Sequence, residues 1–589
     1  MTKGLIFTND KCISCNKCVR ICSSFGASIS YNRPNKNSIK IDSSRCINCG
    51  ACIDICEKNA RDYIDDTNIF FNDLKNNEEI SLLVAPSFMA KYKNQYKKIL
   101  SALKHLGVKK IYPVSLGADI CTWAYLKLIK EKGYVGRIST TCPVVVSYIE
   151  HWHKELIPML MHVKSPLMCL ATYLRNVLGA KENFAFIGPC IGKKSEMEIF
   201  PSLVKYNITF PKLIEYIDNN NITADEQFDG FDGTLGSFYP APGGLADNLR
   251  WFIDDDIPIR IISGKTYLYQ YLDKLNINDI KVKNYILYDL LNCQDGCLEG
   301  TAKSYIDSID DLSVLEINKI KSKAKNHDPK SPFNKTLSTE DRYKNLCEQF
   351  SMLDLNDYLM EFKDLTYKCK VSIPKKEEEE IIYKSLHKED QESRNINCSF
   401  CGYDTCRDMM LAIYNGFNTK HNCCYSEKEE AIYLSKMSFS DTLTSVMNRN
   451  AYERKIKSLY ANKKSLSVIV ADVNGLKIAN DNFGHQAGDR LIIETAKSFA
   501  NIFGVENVYR VGGDEFLTIL GGYTKLEIDH DLKLVKEYLK SQDVSASIGY
   551  SYINKYDGEF NNLLEIADKL MYKDKELYYE TNGLKRRIN

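Results

Sequence analysis

Cysteines and carboxylates are the residues of this chain whose spacing could do chemistry. Cys12, Cys15, Cys18 and Cys22 form C-x2-C-x2-C-x3-C, and Cys46, Cys49, Cys52 and Cys56 repeat it. Cysteines three apart on short loops let successive thiolates converge on one metal cluster, and two identical spacings mark an internal duplication. A third set, Cys398-x2-Cys401-x4-Cys406-x16-Cys423, has Gly402 for a tight turn and Cys424 adjacent. Four thiolates there suit zinc as well as iron and sulfide, and spacing does not choose between Cys423 and Cys424. Cys142, Cys190, Cys293 and Cys297 are scattered, and singly each reads as a small buried hydrophobe. The carboxylates sit elsewhere: an apolar run from Leu466 ends in Asp472, and Tyr509-Arg-Val-Gly-Gly-Asp-Glu-Phe516 reads as a hairpin with glycines at its turn. If those strands are neighbours, Asp472, Asp514 and Glu515 converge beside a phosphate-sized gap, an oxygen-rich setting for Mg²⁺.

The elements that position these groups follow from the pattern. From about Glu79, apolar stretches at Ile80 to Val84, Lys98 to Leu106, Tyr125 to Ile129 and Phe184 to Gly188 alternate as in an α/β domain, with the scattered cysteines in its loops. Lys319 to Ser338 and Lys375 to Glu392 are charged and read as solvated helices or linkers. Arg407 to Tyr414 reads as a helix, as does Glu427 to Lys436. Past Tyr425 the cysteines stop, which marks a domain boundary.

With 589 residues, and roughly 150 per domain, about four domains are expected. Hydrophobic residues at 44% and charged residues at 26% exclude fibrous and disordered classes. A net charge of +1 gives no electrostatic case for nucleic-acid or membrane binding. The first residues lack a secretory segment and no long apolar run suits a membrane, so a cytoplasmic protein with reduced, metal-binding thiols is expected. Of 21 cysteines, Cys121, Cys169, Cys347, Cys369 and one of Cys423 and Cys424 are left for ordinary packing.

Residues 1–70 resemble a bacterial two-4Fe-4S ferredoxin, although Ser23 and Glu57 stand where that family usually has proline. The resemblance groups Cys12, Cys15 and Cys18 with Cys56, and Cys46, Cys49 and Cys52 with Cys22, because each run lends its fourth cysteine to the other cluster. Across 75–370, Ala85-Pro86-Ser87, Gly117-Ala118-Asp119, Cys142-Pro143, Lys164-Ser165-Pro166, Pro189-Cys190 with Lys193 and Glu196, Gly243-Gly244 and Cys293-x3-Cys297 are similar in order to the H-cluster domain of FeFe-hydrogenases. That likeness implies a 4Fe-4S cubane on Cys142, Cys190, Cys293 and Cys297, with Cys297 bridging to a two-iron subcluster whose cyanides meet Lys193, Pro86, Ser87 and Ser165. Residues 371–425, a linker and the third cysteine set, resemble a small 4Fe-4S domain, which gives up to four such clusters. Residues 426–589, a signalling helix and the carboxylate segment, resemble GGDEF diguanylate cyclases. That likeness implies Mg²⁺ on Asp472, the Val473 carbonyl, Asp514 and Glu515, with Asp514 as base. It also implies GTP contacts from Asn480, Asp489, His485, Lys477 and Lys575. The expected fold is therefore multidomain, α/β and α+β.

Departures from these patterns direct the functional expectation. Thr141 replaces the proton-transferring cysteine of the hydrogenase pattern, Tyr125 and Leu128 replace relay carboxylates, and Met161 replaces a relay serine. Gly188 and Leu291 take the places of two methionines, and Glu196 alone remains of the relay. A site with the ligands but without a group near the working pKa favours sensing over turnover; a scaffold holding only the cubane is the other reading. In the GGDEF segment the usual Gly-Arg after Lys575 is Tyr578-Tyr579, with Lys585, Arg586 and Arg587 as substitutes. Phe503 and Glu506 occupy the positions of the R-x-x-D inhibitory motif, so product inhibition through it is expected to be absent. The chain thus reads as a homodimeric diguanylate cyclase that answers to redox state, a redox donor or H₂, with slow hydrogenase turnover at most. A working hydrogenase whose GGDEF domain only binds nucleotide is the alternative.

Overall fold

Short strands flank the two N-terminal cysteine runs in the computed structural model, whereas Cys398, Cys401, Cys406 and Cys423 lie among helices. The structure describes residues 4–583 apart from 34–35, 94, 225–227, 232–233, 254–256, 280–283, 303–310, 325–333, 460–463 and 582. Part of the Lys319 to Ser338 run, and Lys585, Arg586 and Arg587, therefore lie outside the described residues. The chain divides into two compact units, Met1–Cys424 and Tyr425–Asn589.

The first unit opens with β1 (Ile6–Thr8), β2 (Ser28–Arg33), β3 (Lys36–Ile41) and β4 (Arg61–Tyr63). β1 pairs antiparallel with β4 and β2 with β3, so the duplicated cysteine runs hang between two small ribbons. Next come β5 (Ile80–Val84), β6 (Ile111–Pro113), β7 (Arg137–Ile138), β8 (Asn183–Gly188), β9 (Tyr206–Thr209), β10 (Ile259–Ser263) and β11 (Leu287–Leu291). They make two parallel sheets, in the orders β6-β5-β8-β9 and β10-β11-β7. β5 and β11 are buried along their whole length. Helices on both faces of a parallel sheet require such near-continuous apolar runs. The Val114–Lys132 helix carries Tyr125 and Leu128 into the core, and ends on Gly133 in the left-handed conformation. Cys406–Tyr414 is a helix as expected, capped by Thr405, whose hydroxyl accepts the Asp408 N–H at 3.0 Å. The charged stretch after Lys375 forms the Lys376–Ser385 helix.

The second unit is a five-stranded sheet of β12 (Met447–Asn448), β13 (Leu466–Val473), β14 (Val508–Arg510), β15 (Glu515–Gly521) and β16 (Ala546–Ile553), in the order β12-β14-β15-β13-β16. Every residue of β13 is buried. β14 and β15 form the expected hairpin, with Arg510 opposite Phe516. β15 lies beside β13 with Asp472 opposite Glu515, so the carboxylates of two sequence-distant strands share one sheet end. The Leu476–Phe483, His485–Phe503 and Phe560–Thr581 helices pack around it, and Cys424–Phe439 leads in. Among the described residues no helix is long and apolar enough to cross a membrane.

Candidate functional site

In the second unit the carboxylates meet. Asp472 is 5% exposed and accepts a hydrogen bond from Lys575 Nζ at 2.6 Å. The Val473 N–H donates to the Asp514 carbonyl oxygen at 3.0 Å, tying the hairpin turn to the end of β13. Burial raises the Asp472 carboxyl against the lowering effect of Lys575, and the nearby Asp514 charge adds to the rise. Burial, together with Asp472, Asp514 and Asp568, raises Glu515 as well. Negative charge is thus crowded against a single lysine, and a cation with several oxygen ligands would relieve it. Gly513 is open, with nothing within 4 Å of the position a Cβ would take.

Arg510, which sequence reasoning passed over, braces this turn. Its Nη2 donates to the Gly513 carbonyl oxygen at 2.8 Å and its Nη1 to Asp441 Oδ1 at 3.1 Å. Asp441 in turn accepts the Thr444 N–H at 2.9 Å. The sequence held a signal for the Arg510–Gly513 contact alone, since an arginine three residues before a turn glycine can reach its carbonyl. Asn480 lies over Gly488, where a Cβ would come within 2.1 Å of the Asn480 Oδ1 atom, so Asn480 and the adjoining Asp489 stand together between two helices. Lys477 and His485 are exposed beside them. Phe503 is buried in the core and Glu506 is exposed.

In the first unit the thiols fall into separate neighbourhoods. Burial pushes the Cys22 thiol up to about 11, and the charge of Cys49 adds to it. Burial likewise pushes Cys46 up to about 12, with Cys49 and Cys22 contributing. Cys52 sits in the field of Cys46, Cys49 and Cys22, whereas Cys18 sits in that of Cys12 and Cys15. Cys22 thus stands with the second run rather than its own. The Cys56 Sγ accepts the Ala60 N–H at 3.2 Å. Cys142, Cys190 and Cys293 are mutual neighbours, and burial with Cys190 and Cys142 lifts Cys297 to about 12 against the pull of Lys193. In the third set Cys401 neighbours Cys398 and Cys423, and burial moves it to about 11. Cys406 is half-buried at the start of its helix, Cys423 is 7% exposed and Cys424 is exposed. Thiols held this high stay protonated near neutrality until a metal displaces the proton. Among the described residues no three His, Cys, Asp or Glu side chains are drawn in to the distances of one bound metal ion.

Three family models match the chain: a 4Fe-4S dicluster domain over 11–60, the C-terminal domain of the iron-only hydrogenase large subunit over 78–301, and a diguanylate cyclase GGDEF domain over 438–578. The chain carries all three domains. Among curated proteins it is 33% identical over 144 residues to the probable diguanylate cyclase DgcI of Escherichia coli, covering 23% of this chain and 31% of that one. It is 30% identical over 187 residues to the diguanylate cyclase DgcN of E. coli, covering 28% and 46%. It is 29% identical over 180 residues to the cyclic di-GMP phosphodiesterase PdeB of Shewanella oneidensis, covering 26% and 21%. The chain therefore spans less than half the length of each of these relatives. Among solved structures, a variant of FeFe-hydrogenase HydA1 from Chlamydomonas reinhardtii aligns at 15% identity and TM-score 0.36, covering 51% of this chain and all (100%) of that one. A sensory box/GGDEF family protein from Caulobacter crescentus aligns at 30% identity and TM-score 0.21, covering 23% and 98%.

The hydrogenase-like domain holds a small cavity of about 80 Å³ whose walls include Pro86, Ser87, Phe186, Lys193, Tyr239 and Cys297. Ser87 is fully buried, and its hydroxyl has no hydrogen-bond partner among the described residues. Lys193 Nζ donates to Ser165 Oγ at 2.9 Å and pairs with Glu196 at 2.8 Å. An unspent hydroxyl and an ammonium beside Cys297 fit a group that presents anionic acceptors. Opposite them, Phe186 fills space that only Gly188 leaves, since a Cβ there would come within 2.1 Å of the ring. The positions that the hydrogenase likeness gives to a proton relay are buried. The Tyr125 hydroxyl accepts the Thr140 N–H at 2.8 Å, burial pushes its acidity well out of range, and Leu128 and Met161 are core residues. The ferredoxin and hydrogenase-like domains meet at Asn292, whose Nδ2 donates to the Cys49 carbonyl oxygen at 3.2 Å and to Cys293 Sγ at 3.3 Å.

Proposed function

We propose that the chain is a diguanylate cyclase whose output follows the redox state of an iron-sulfur front end. The observation that carries this reading is the convergence of Asp472, Asp514, Glu515 and Lys575 at one sheet end. Mg²⁺ held there by Asp472, Asp514, Glu515 and the Val473 carbonyl supplies charge neutralisation for a triphosphate. Lys575, now on Asp472, moves to the triphosphate when GTP binds, and the exposed Lys477 joins it. Asn480 and Asp489 grip guanine, with His485 at the edge of the site. Asp514 takes the proton from the 3'-hydroxyl of one GTP as that oxygen attacks the α-phosphorus of the other. Pyrophosphate leaves, and the step repeated in the opposite sense closes the ring. Catalysis then rests on positioning, and two protomers must face each other because each brings one GTP.

In the same reading Cys12, Cys15, Cys18 and Cys56, and Cys46, Cys49, Cys52 and Cys22, hold the ferredoxin clusters. Cys142, Cys190, Cys293 and Cys297 hold the cubane, and Pro86, Ser87, Ser165 and Lys193 face a two-iron group. Cys398, Cys401, Cys406 and Cys423 hold the last cluster, Cys423 being preferred to Cys424 because it is buried beside Cys401. Cys423 directly precedes the Cys424–Phe439 helix, so the charge on that cluster bears on a helix N-terminus and biases competent against incompetent dimers. The test is cyclic di-GMP synthesis by cluster-loaded protein under H₂ against argon, and with dithionite against ferricyanide. A rate that changes with gas or potential is expected; one constant rate across all four conditions sinks the regulatory reading and leaves the cyclase.

A further inference from the structure

Arg61 carries a permanent charge and is 3% exposed. It opens β4 opposite Thr8 of β1, a register that turns its side chain inward between the two cysteine runs. Its Nη1 donates to Thr8 Oγ1 at 2.8 Å, and its Nη2 donates to Cys18 Sγ at 3.1 Å and lies 3.4 Å from Ser28 Oγ. Its largest electrostatic partners are Cys18, Cys52 and Cys22, and Cys46 also lies in its field. A buried guanidinium is heavily penalised unless an anion accompanies it, and the groups that can supply one here are the cysteine sulfurs of both runs once a metal has displaced their protons.

Lys265 offers the contrast. It stands in the fields of Cys49 and Cys293, toward the hydrogenase-like domain, but it is bonded to Asp54 and lies 3.8 Å from Glu299 Oε1. Two carboxylates offset its single charge, whereas that of Arg61 is left to the cysteine sulfurs. Hydrogen bonds to sulfur and net charge are the main levers on the potential of an iron-sulfur cluster. A cluster gains negative charge on reduction, so an uncompensated cation beside it favours the reduced form.

We propose that Arg61 sets the potential of the N-terminal clusters, raising it above that of the cubane on Cys142, Cys190, Cys293 and Cys297, so that electrons drain outward from the hydrogenase-like domain. Each transfer moves one electron from a reduced cubane to an oxidised N-terminal cluster, past Asn292, with no bond made and no proton moved. The electron enters from a one-electron reductant of low potential such as dithionite. The inference rests on the iron-sulfur reading of these cysteines, and iron and sulfide counts separate the failure of one from failure of the other.

The experiment is an EPR-monitored redox titration of the full-length, anaerobically loaded protein, as wild type, Arg61→Met and Arg61→Lys. In the wild type the N-terminal signals are expected to develop before that of the cubane as the potential is lowered. In Arg61→Met the reduced-to-oxidised ratio of the N-terminal clusters at a fixed potential is expected to fall ~10-fold or more, about 59 mV for a one-electron couple. Arg61→Lys, which keeps the charge, is expected to stay close to wild type. An unmoved potential in Arg61→Met with full iron, or a wild-type cubane that reduces first, overturns the proposal. Should Arg61→Met fail to hold clusters, the wild-type order and Arg61→Lys still decide. A wild type without iron or labile sulfide overturns the cluster reading as well.

Discussion

The GGDEF site and the cavity of the hydrogenase-like domain are built from opposite mixtures of what each chemistry needs. At the GGDEF site the charged groups are crowded: burial and the Asp514 charge raise Asp472, burial with Asp472, Asp514 and Asp568 raises Glu515, and Lys575 is bonded to Asp472. In the hydrogenase-like cavity the Ser87 hydroxyl has no hydrogen-bond partner among the described residues and Lys193 is held by Ser165 and Glu196, while Tyr125, Leu128 and Met161, at the positions the hydrogenase likeness gives to a proton relay, are core residues. The first arrangement suits turnover, because positioned charge is what phosphoryl transfer requires. The second suits exchange of electrons or a small ligand, because a proton cannot cross a leucine and a methionine. In the proposed reading one chain separates responding from reacting, and the two halves can be broken independently.

The largest expected effect breaks the reacting half. Asp514→Ala removes both a cation ligand and the base, and cyclic di-GMP synthesis is expected to fall by ~10²-fold or more. The visible and EPR spectra of the clusters should not change. Retention of more than a tenth of wild-type synthesis, measured by product chromatography, would refute the catalytic assignment. A smaller effect is expected from Thr141→Cys, which restores a thiol of suitable acidity beside Cys142. General acid-base groups are worth ~10²–10⁴-fold when their path is whole, but Tyr125, Leu128 and Met161 still block the remainder. Hydrogen uptake with an artificial acceptor should rise by less than tenfold, and only in protein matured with its two-iron group. A jump to rapid turnover from this single change would show that another proton route exists and would erase the contrast.

Much of this architecture was legible in advance because cysteine spacing and strand-end carboxylates are local signals. The hairpin over Tyr509–Phe516 and the helices at Arg407 and Glu427 needed only periodicity and turn chemistry, whereas the pairing of the Asp472 and Glu515 strands stood in the sequence only as a condition. What stayed hidden depends on contacts between distant segments. The Arg510–Asp441 brace joins residues 69 apart in sequence, and the amide of Asn292 reaches Cys49 across 243. Phe186 enters the cavity because Gly188 gives way two residues later on the same strand, which a list of replaced methionines does not reveal. Arg61 belongs to none of the sequence motifs, and only the β1–β4 register turns it inward.

The smallest effect probes the first unit through its buried acids rather than its metals. Asp119 accepts the Gly236 N–H at 2.8 Å and is 2% exposed; burial pushes it up to about 7. Asp289 accepts the Ala246 N–H at 3.1 Å, and burial pushes it up to about 6. Unfolded, both titrate near ~3.9. The folded state therefore binds protons that the unfolded state has already released. Each acid's contribution to stability is full below ~3.9 and is lost as pH rises through about 7 for Asp119 and about 6 for Asp289, by about 1.4 kcal/mol per pH unit. The cluster-loaded protein should melt at a lower temperature at pH 8 than at pH 5.5. Asp119→Asn keeps an oxygen for the Gly236 N–H but has no proton to lose, so it should flatten the upper part of that decline and leave the Asp289 part below. A decline as steep in Asp119→Asn as in the wild type would mean that Asp119 is ionised across the whole range, held by charges that its buried setting does not supply.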